Sequence, residues 1–452
     1  MNTPDAAKAE DQPLYGKQTR LAVENFRIGG RPLPGAFIRA LGLIKATAAR
    51  VNGALEALPT DMAEAIAEAA DAVAEGRHQD QFPVDVFQTG SGTSTNMNAN
   101  EVIATLAERR LGRPVHPNDD VNRGQSSNDV IPTAIHVSAA LALRALTGHL
   151  DSLQRAIEGR ARTLDSVVKT GRTHLMDAVP ITLGQELSGW AAQIAADIER
   201  LNDVERRLLR LAQGGTAVGS GLNSHPEFAE RFASLLAART GLAFQPAPNA
   251  FAVISAQDTA VELSGQLRVT AISLLKIATD LRWMNSGPVA GLAEIRLPEL
   301  QPGSSIMPGK VNPVIPEAVS MACTQVIGLD AAIALAGQNN RFQLATMLPL
   351  IALDLLEQIR LLSGSAEALE TQTIARFEVD AESLGKRVRS NAMLATALTP
   401  RIGYDRAVEI ARAVQAQGRE VIEVAREMTD LSEHDLKRLL DPIRMTHPED
   451  VE

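Results

Sequence analysis

Aromatic side chains are scarce in this 452-residue chain: two Trp, two Tyr and ten Phe make up 3% of it. Its interior must be built from Ala, Leu, Ile and Val, and 45% hydrophobic residues suffice for a large one. Such a composition favours close-packed helices over a β-sandwich, which draws on aromatic and β-branched residues. Cysteine is nearly absent, Cys323 being the only one. This excludes an intrachain disulfide and a cysteine-ligated iron–sulfur cluster within one chain. Positive charge is in deficit: 44 Lys and Arg against 54 Asp and Glu leave a formal net charge of -10. The basic stripe of a nucleic-acid binder is missing, although local cations and helix N-termini can still hold an anion. Met1 to Gly16 is polar and lacks the apolar segment of a secretory signal. No apolar run long enough to span a bilayer escapes interruption by charge. The expectation is a soluble cytoplasmic protein that binds no nucleic acid and no membrane.

What is present is helical periodicity broken by polar loops. Ala36 to Leu58 and Thr60 to Glu75 read as amphipathic helices separated by Pro59, and Glu101 to Leu111 as another. Phe82 to Asn100 reads as loop and His116 to Asn128 as polar and irregular. Five long helices follow, over about Pro132 to Leu164, Leu183 to Ala212, Ala256 to Trp283, Pro316 to Ala336 and Met347 to Ala368. They predict an all-α chain with an elongated central bundle. Ala-rich faces suit further packing between subunits. From about Phe377 the helices shorten, with a break at Leu398 to Tyr404. The expected division is an N-terminal domain over 1–126, the long-helix bundle over 127–380 and a small C-terminal domain over 381–452.

The loops carry the candidate chemistry. Gly303-Ser304-Ser305-Ile306-Met307-Pro308-Gly309-Lys310-Val311-Asn312-Pro313 holds two hydroxyls, an ammonium and an amide in one glycine- and proline-bounded excursion. These groups can remove a proton beside a carboxylate and hold the resulting charge. Thr89-Gly90-Ser91-Gly92-Thr93-Ser94-Thr95-Asn96 offers backbone N–H groups and hydroxyls at high density, but lacks the Gly-Lys-Ser/Thr ending of a P-loop. Gln125-Ser126-Ser127-Asn128-Asp129 before Pro132 is a helix-start signal that leaves free N–H groups for an anion. His174, in Gly171-Arg172-Thr173-His174-Leu175, is by itself either structural or catalytic. Glu317, at the start of another long helix, would raise its imidazole pKa if the two met. His116-Pro117-Asn118-Asp119-Asp120, with Arg113 nearby, is either a turn or a second anion site. No second histidine stands at a metal-ligand spacing from it.

From about Tyr15 to His447 the chain resembles the class II fumarases of the aspartase/fumarase superfamily. The segment Pro298 to Pro313 matches the superfamily signature. Gly309 before Lys310, His174, His116 and the Ser126-Ser127 pair match the fumarase branch rather than the aspartases. The resemblance implies an all-α, three-domain homotetramer whose active sites each draw residues from three subunits. It implies Ser304 as catalytic base, His174 as its acid/base partner modulated by Glu317, and Lys310 as a stabiliser of the anion. Gly92, Thr93, Ser126, Ser127, Asn128, Thr173, Lys310, Val311 and Asn312 would hold substrate carboxylates, with Ser91 and Ser305 contributing. Arg113, His116, Pro117, Asn118 and Asp119 match the family's second, non-catalytic carboxylate site. The implied reaction is reversible anti addition of water to fumarate, giving (S)-malate, without metal, flavin or nicotinamide. An aspartate ammonia-lyase and a non-catalytic structural protein retaining the fold are the competing readings. One segment departs from the pattern: after Gly337 the family usually shows Gly, then Phe-Glu-Leu-Asn, where this chain has Asn340-Arg341-Phe342-Gln343-Leu344-Ala345.

Overall fold

The structure, a computed structural model, describes residues 13–448. The long helices form at Ser127–Thr163, Leu183–Leu208, Asp258–Met284, Val314–Gln338 and Leu348–Leu369. The sequence periodicity locates all five. Pro132 lies inside the first helix rather than in its first turn, because the Ser-Asn-Asp cap acts five residues earlier than the proline suggests. The buried side of that helix is written at three- and four-residue spacing by Ile131, Ile135, Ala139, Leu143, Leu146, Leu150, Leu153 and Ile157.

Packing divides the chain into two compact units. One comprises the described part of Met1–Gly148, with Asp197–Ala271 and Ala322–Ser363. Within it, helices Gly35–Ala54 and Thr60–Ala74 pack closely. A methyl group on Gly42 would come 2.4 Å from the Ala74 nitrogen and 2.8 Å from the Ala70 carbonyl oxygen. Glycine there lets the two backbones approach, and the alanines opposite keep the interface thin. The helix expected from Glu101 begins eight residues earlier, at Thr93. Thr93 to Asn100 has weak helix propensity. It is held helical by burial, with the Asn98 amide donating to the Gln81 carbonyl oxygen (2.9 Å) and the Asn96 amide to Asn122 Oδ1 (3.3 Å). His116 to Asn128 is more regular than expected, forming a single π-helical turn at Pro117–Val121 before the long helix opens.

The other unit comprises His149–Ala196, Ile272–Met321 and the described part of Gly364–Glu452. The segment expected to be a loop around His174 is a β-hairpin, Val168–Thr173 paired antiparallel with Met176–Thr182. The β-branched residues Val168, Thr170, Val179, Ile181 and Thr182 favour these strands. Two further two-stranded sheets, each with two-residue strands, complete the small β content. The C-terminal helices close over a core of Val388, Leu394, Leu398, Ile410, Val414, Val424 and Leu436. The predicted break at Leu398 to Tyr404 contains a four-residue helix, Thr399–Ile402, and the chain turns at Gly403, φ 80°.

Two helices, Ser127–Thr163 and Val314–Gln338, are long and apolar enough to cross a membrane by composition alone. Most of the first is buried within the chain, whereas the apolar window of the second is only 28% buried. Met321 and Leu335 project from it, 69% and 68% exposed.

Candidate active-site residues

Two helix N-termini and their hydroxyls form the first group. Gly92, φ 72°, turns the chain into helix Thr93–Leu111, and Ser127 opens helix Ser127–Thr163. Thr93 Oγ1 lies 2.8 Å from Ser127 Oγ and 2.8 Å from Ser91 Oγ, so three hydroxyls form one hydrogen-bonded chain. Ser126 Oγ accepts from the Asn128 N–H (3.2 Å), and the Asn128 amide donates to the Ala217 carbonyl oxygen (2.8 Å). At the first helix the Ser94 N–H donates to Thr89 Oγ1 (3.2 Å) and the Thr95 N–H to Gln88 Oε1 (3.0 Å), so the hydroxyls and the positive ends of the two helices, rather than a row of open N–H groups, suit a carboxylate.

Asp129 fixes this group from behind. One carboxylate oxygen accepts from the Ser126 N–H (2.9 Å), and the other from Gly214 and Thr216 N–H (3.0 and 2.9 Å). Burial pushes its pKa up to about 6, against the pull of those three N–H groups and of the Lys45 charge. Lys45 is buried on helix Gly35–Ala54 and donates to Asn122 Oδ1 (2.8 Å) and Gln125 Oε1 (3.2 Å). Burial lowers its ammonium to about 7, with Asp129 acting in the opposite direction. Sequence reading missed Lys45. Its one signal was a lysine among the buried positions of a largely apolar helix.

The second group lies in the other unit. Gly303 N–H donates to the Lys310 carbonyl oxygen (3.0 Å), and the Asn312 amide donates to the Gly303 carbonyl oxygen (2.7 Å). These bonds close the loop at its neck. Inside it, Ser304 Oγ accepts from Ile306 N–H (3.2 Å) and Met307 N–H (3.1 Å). Two backbone donors on one hydroxyl oxygen favour its deprotonated form. Ser304, Val311 and Asn312 are half-buried, while Ser305 and Lys310 are exposed. Glu317 N–H donates to the Pro313 carbonyl oxygen in the first turn of the following helix.

Thr173 and His174 sit at the hairpin tip, both exposed. His174 and Leu175 form its two-residue turn with φ 55° and 61°, the left-handed pair that matches strand twist. The Asn391 amide, donating to the Ala178 carbonyl oxygen (2.8 Å), braces the second strand. No hydrogen bond or ion pair joins His174 to Glu317 among the described residues.

Beneath the tip lies an ionic cluster that sequence reading also missed. Lys169 Nζ, almost fully buried, contacts Glu186 (2.6 Å) and Glu294 (2.7 Å), and Arg172 reaches the other Glu294 oxygen (2.6 Å). Glu294→Ala would leave Lys169 with one partner and Arg172 with none. A destabilisation on the order of 3 kcal/mol is expected, read as a lower denaturant midpoint. An unchanged midpoint would show that the cluster adds no net stability.

In the Arg113 to Asp119 group, Arg113 and His116 already have partners. Arg113 pairs with Asp61 (2.7 Å), and the Asp120 carboxylate accepts the His116 N–H (2.7 Å). His116 Nδ1 accepts from the Asp119 N–H (3.0 Å) and therefore carries no proton of its own in that geometry. The 3.2 Å approach of the Asp119 carboxylate to the same nitrogen is then not an ion pair. Asn118 is exposed.

The divergent segment Asn340 to Ala345 forms a tight turn with mutual backbone hydrogen bonds between Arg341 and Leu344 (3.1 Å each) and Phe342 at φ 49°. Ala345 is fully buried, where an asparagine would need amide partners. Just beyond it, Leu348 N–H donates to the Gly90 carbonyl oxygen (2.9 Å), so this turn abuts the loop leading to Thr93.

A family model described as lyase matches residues 6–328, and one described as fumarase C C-terminus matches residues 394–447. Fumarate hydratase class II 2 of Pseudomonas aeruginosa is 55% identical over 434 residues, spanning 96% of this chain and 95% of its own. Fumarate hydratase class II of Mycobacterium tuberculosis is 48% identical over 457 residues, spanning 100% and 96%. The crystal structure of recombinant class II fumarase from Schistosoma mansoni superposes with a TM-score of 0.94 at 34% identity, covering 100% of this chain and 98% of that one. The chain belongs to the class II fumarate hydratase family of lyases.

Proposed function

We propose that this protein is a fumarate hydratase, adding water reversibly to fumarate to give (S)-malate. The observation that carries the reading is Ser304 Oγ, held by the Ile306 and Met307 N–H groups in a loop that also presents Lys310. In the elimination direction Ser304, deprotonated, takes the proton from the carbon beside one malate carboxylate. The electron pair left behind spreads into that carboxylate as an aci-carboxylate. The Lys310 ammonium offsets its charge, as do Asn312 and the helix-end N–H groups. Departure of the hydroxyl from the neighbouring carbon, with a proton supplied through His174 and supported by Glu317, completes the loss of water. Ser91, Gly92, Thr93, Ser126, Ser127, Asn128, Thr173, Ser305 and Val311 shape the carboxylate sites, and Arg113 to Asp119 forms a second, non-catalytic one.

The same reading makes the protein a cytoplasmic homotetramer, with the helix N-termini, the Ser304 loop with Glu317, and the His174 tip brought to one substrate from three copies. The open apolar face of Val314–Gln338 supports self-association. Purified protein given (S)-malate without added metal is expected to produce fumarate, seen as rising ultraviolet absorbance. Silence with malate, together with ammonia release from L-aspartate, would move the assignment to an ammonia-lyase.

A further inference from the structure

We propose that Lys45 is a positioning residue of the carboxylate cradle, its buried ammonium lying behind both helix N-termini and strengthening their hold on the substrate. The inference rests on the reading that Thr93, Ser127 and their neighbours bind a substrate carboxylate.

Two buried lysines invite comparison. Lys169 is neutralised by two carboxylates in hydrogen-bond contact. Lys45, at 0% exposure, has only amide oxygens, those of Asn122 and Gln125. No carboxylate ion-pairs with it among the described residues, and Asp129 acts on it only through space. Burying an ammonium without a contacting carboxylate is costly, so stability alone does not account for the choice of residue.

The two amides that hold Lys45 lead to the two halves of the cradle. Asn122 Oδ1 also accepts from the amide of Asn96, in the first turn of helix Thr93–Leu111 (3.3 Å). The Asn122 amide in turn donates to the Gln125 carbonyl oxygen (3.1 Å), immediately before Ser126. One ammonium therefore sets the side chains behind both N-termini. In its protonated form, which Asp129 favours, Lys45 carries a charge of the same sign as their dipole ends, acting through protein rather than water. Asp129 opposes that field in part, while its carboxylate fixes the backbone of the Ser126 turn.

The test uses the full-length protein and two readouts: binding of succinate, a non-reacting C4 dicarboxylate, by calorimetry, and KM against kcat for malate. Lys45→Met removes the charge and keeps the length. It is expected to weaken succinate binding and raise KM by about tenfold, with a smaller fall in kcat and the thermal midpoint unchanged or higher. Lys45→Arg, which restores the charge, is expected to recover most of the affinity. Lys45→Gln removes the charge but keeps an amide donor towards Asn122 and Gln125, and should weaken succinate binding in the same way. It decides the matter if Lys45→Met does not fold. Wild-type affinity in a folded Lys45→Met, or in Lys45→Gln when that variant stands alone, overturns the proposal. Failure of the wild type to convert malate while it binds succinate would overturn the hydratase reading and leave the Lys45 result standing. A wild type that does not bind succinate at all overturns the cradle and Lys45's part in it.

Discussion

Ser304→Ala is expected to lower malate turnover by about 10³-fold, the range for loss of a positioned base, with the fold and assembly unchanged. The substitution removes one oxygen from a half-buried site. The neck bonds of the loop, Gly303 to Lys310 and Asn312 to Gly303, involve no Ser304 side-chain atom and should persist. Ile306 and Met307 N–H would lose an acceptor, but the loop tip is exposed and water can replace it. The loss should therefore fall on kcat, with KM nearly constant. Absorbance assays under saturating malate, alongside circular dichroism and size-exclusion chromatography, separate chemistry from folding. Activity within tenfold of wild type would remove Ser304 from the role of base.

His174→Asn is expected to cost about 10²-fold in turnover, as for loss of one acid/base partner. Asparagine is chosen because position 174 has φ 55°, a left-handed conformation that asparagine tolerates better than most residues. The hairpin turn should survive, and Asn391 should continue to hold the strand at Ala178. A bell-shaped pH profile in the wild type that loses one limb in His174→Asn would tie the imidazole to proton transfer. If the profile keeps both limbs and turnover falls less than threefold, His174 serves the turn rather than the chemistry.

Helical periodicity was enough to find the five long helices because each buries a continuous apolar stripe, and burial writes itself into spacing. Errors gathered where tertiary contacts override local preference. Thr93 to Asn100 looks like loop and is helix because Asn96 and Asn98 find partners elsewhere in the fold. The His174 segment looks like loop and is a hairpin because its turn is a left-handed pair at His-Leu, without the Asn-Gly or Asp-Gly signal. In the site, exposed hydroxyl- and glycine-rich turns were legible as chemistry. Lys45, Asp129 and Glu294 were not assigned such parts, since a supporting charge is recognised by what surrounds it and its neighbours in space lie far away in sequence.

Gly303 has a consequence for how this loop can vary. A methyl group there would sit 2.2 Å from the Lys310 carbonyl oxygen, so the crossing point admits no side chain. At the tip the demand is uneven: Ile306, at 84% exposure, meets little of the protein, whereas Gly309, at φ 76°, sits in a conformation that favours glycine. Drift among related sequences should accordingly be graded along these few residues, nearly frozen at Gly303 where the strands of the noose cross, restrained at Gly309, and permissive in the side chain of Ile306, whose backbone N–H anchors the serine whatever that side chain is.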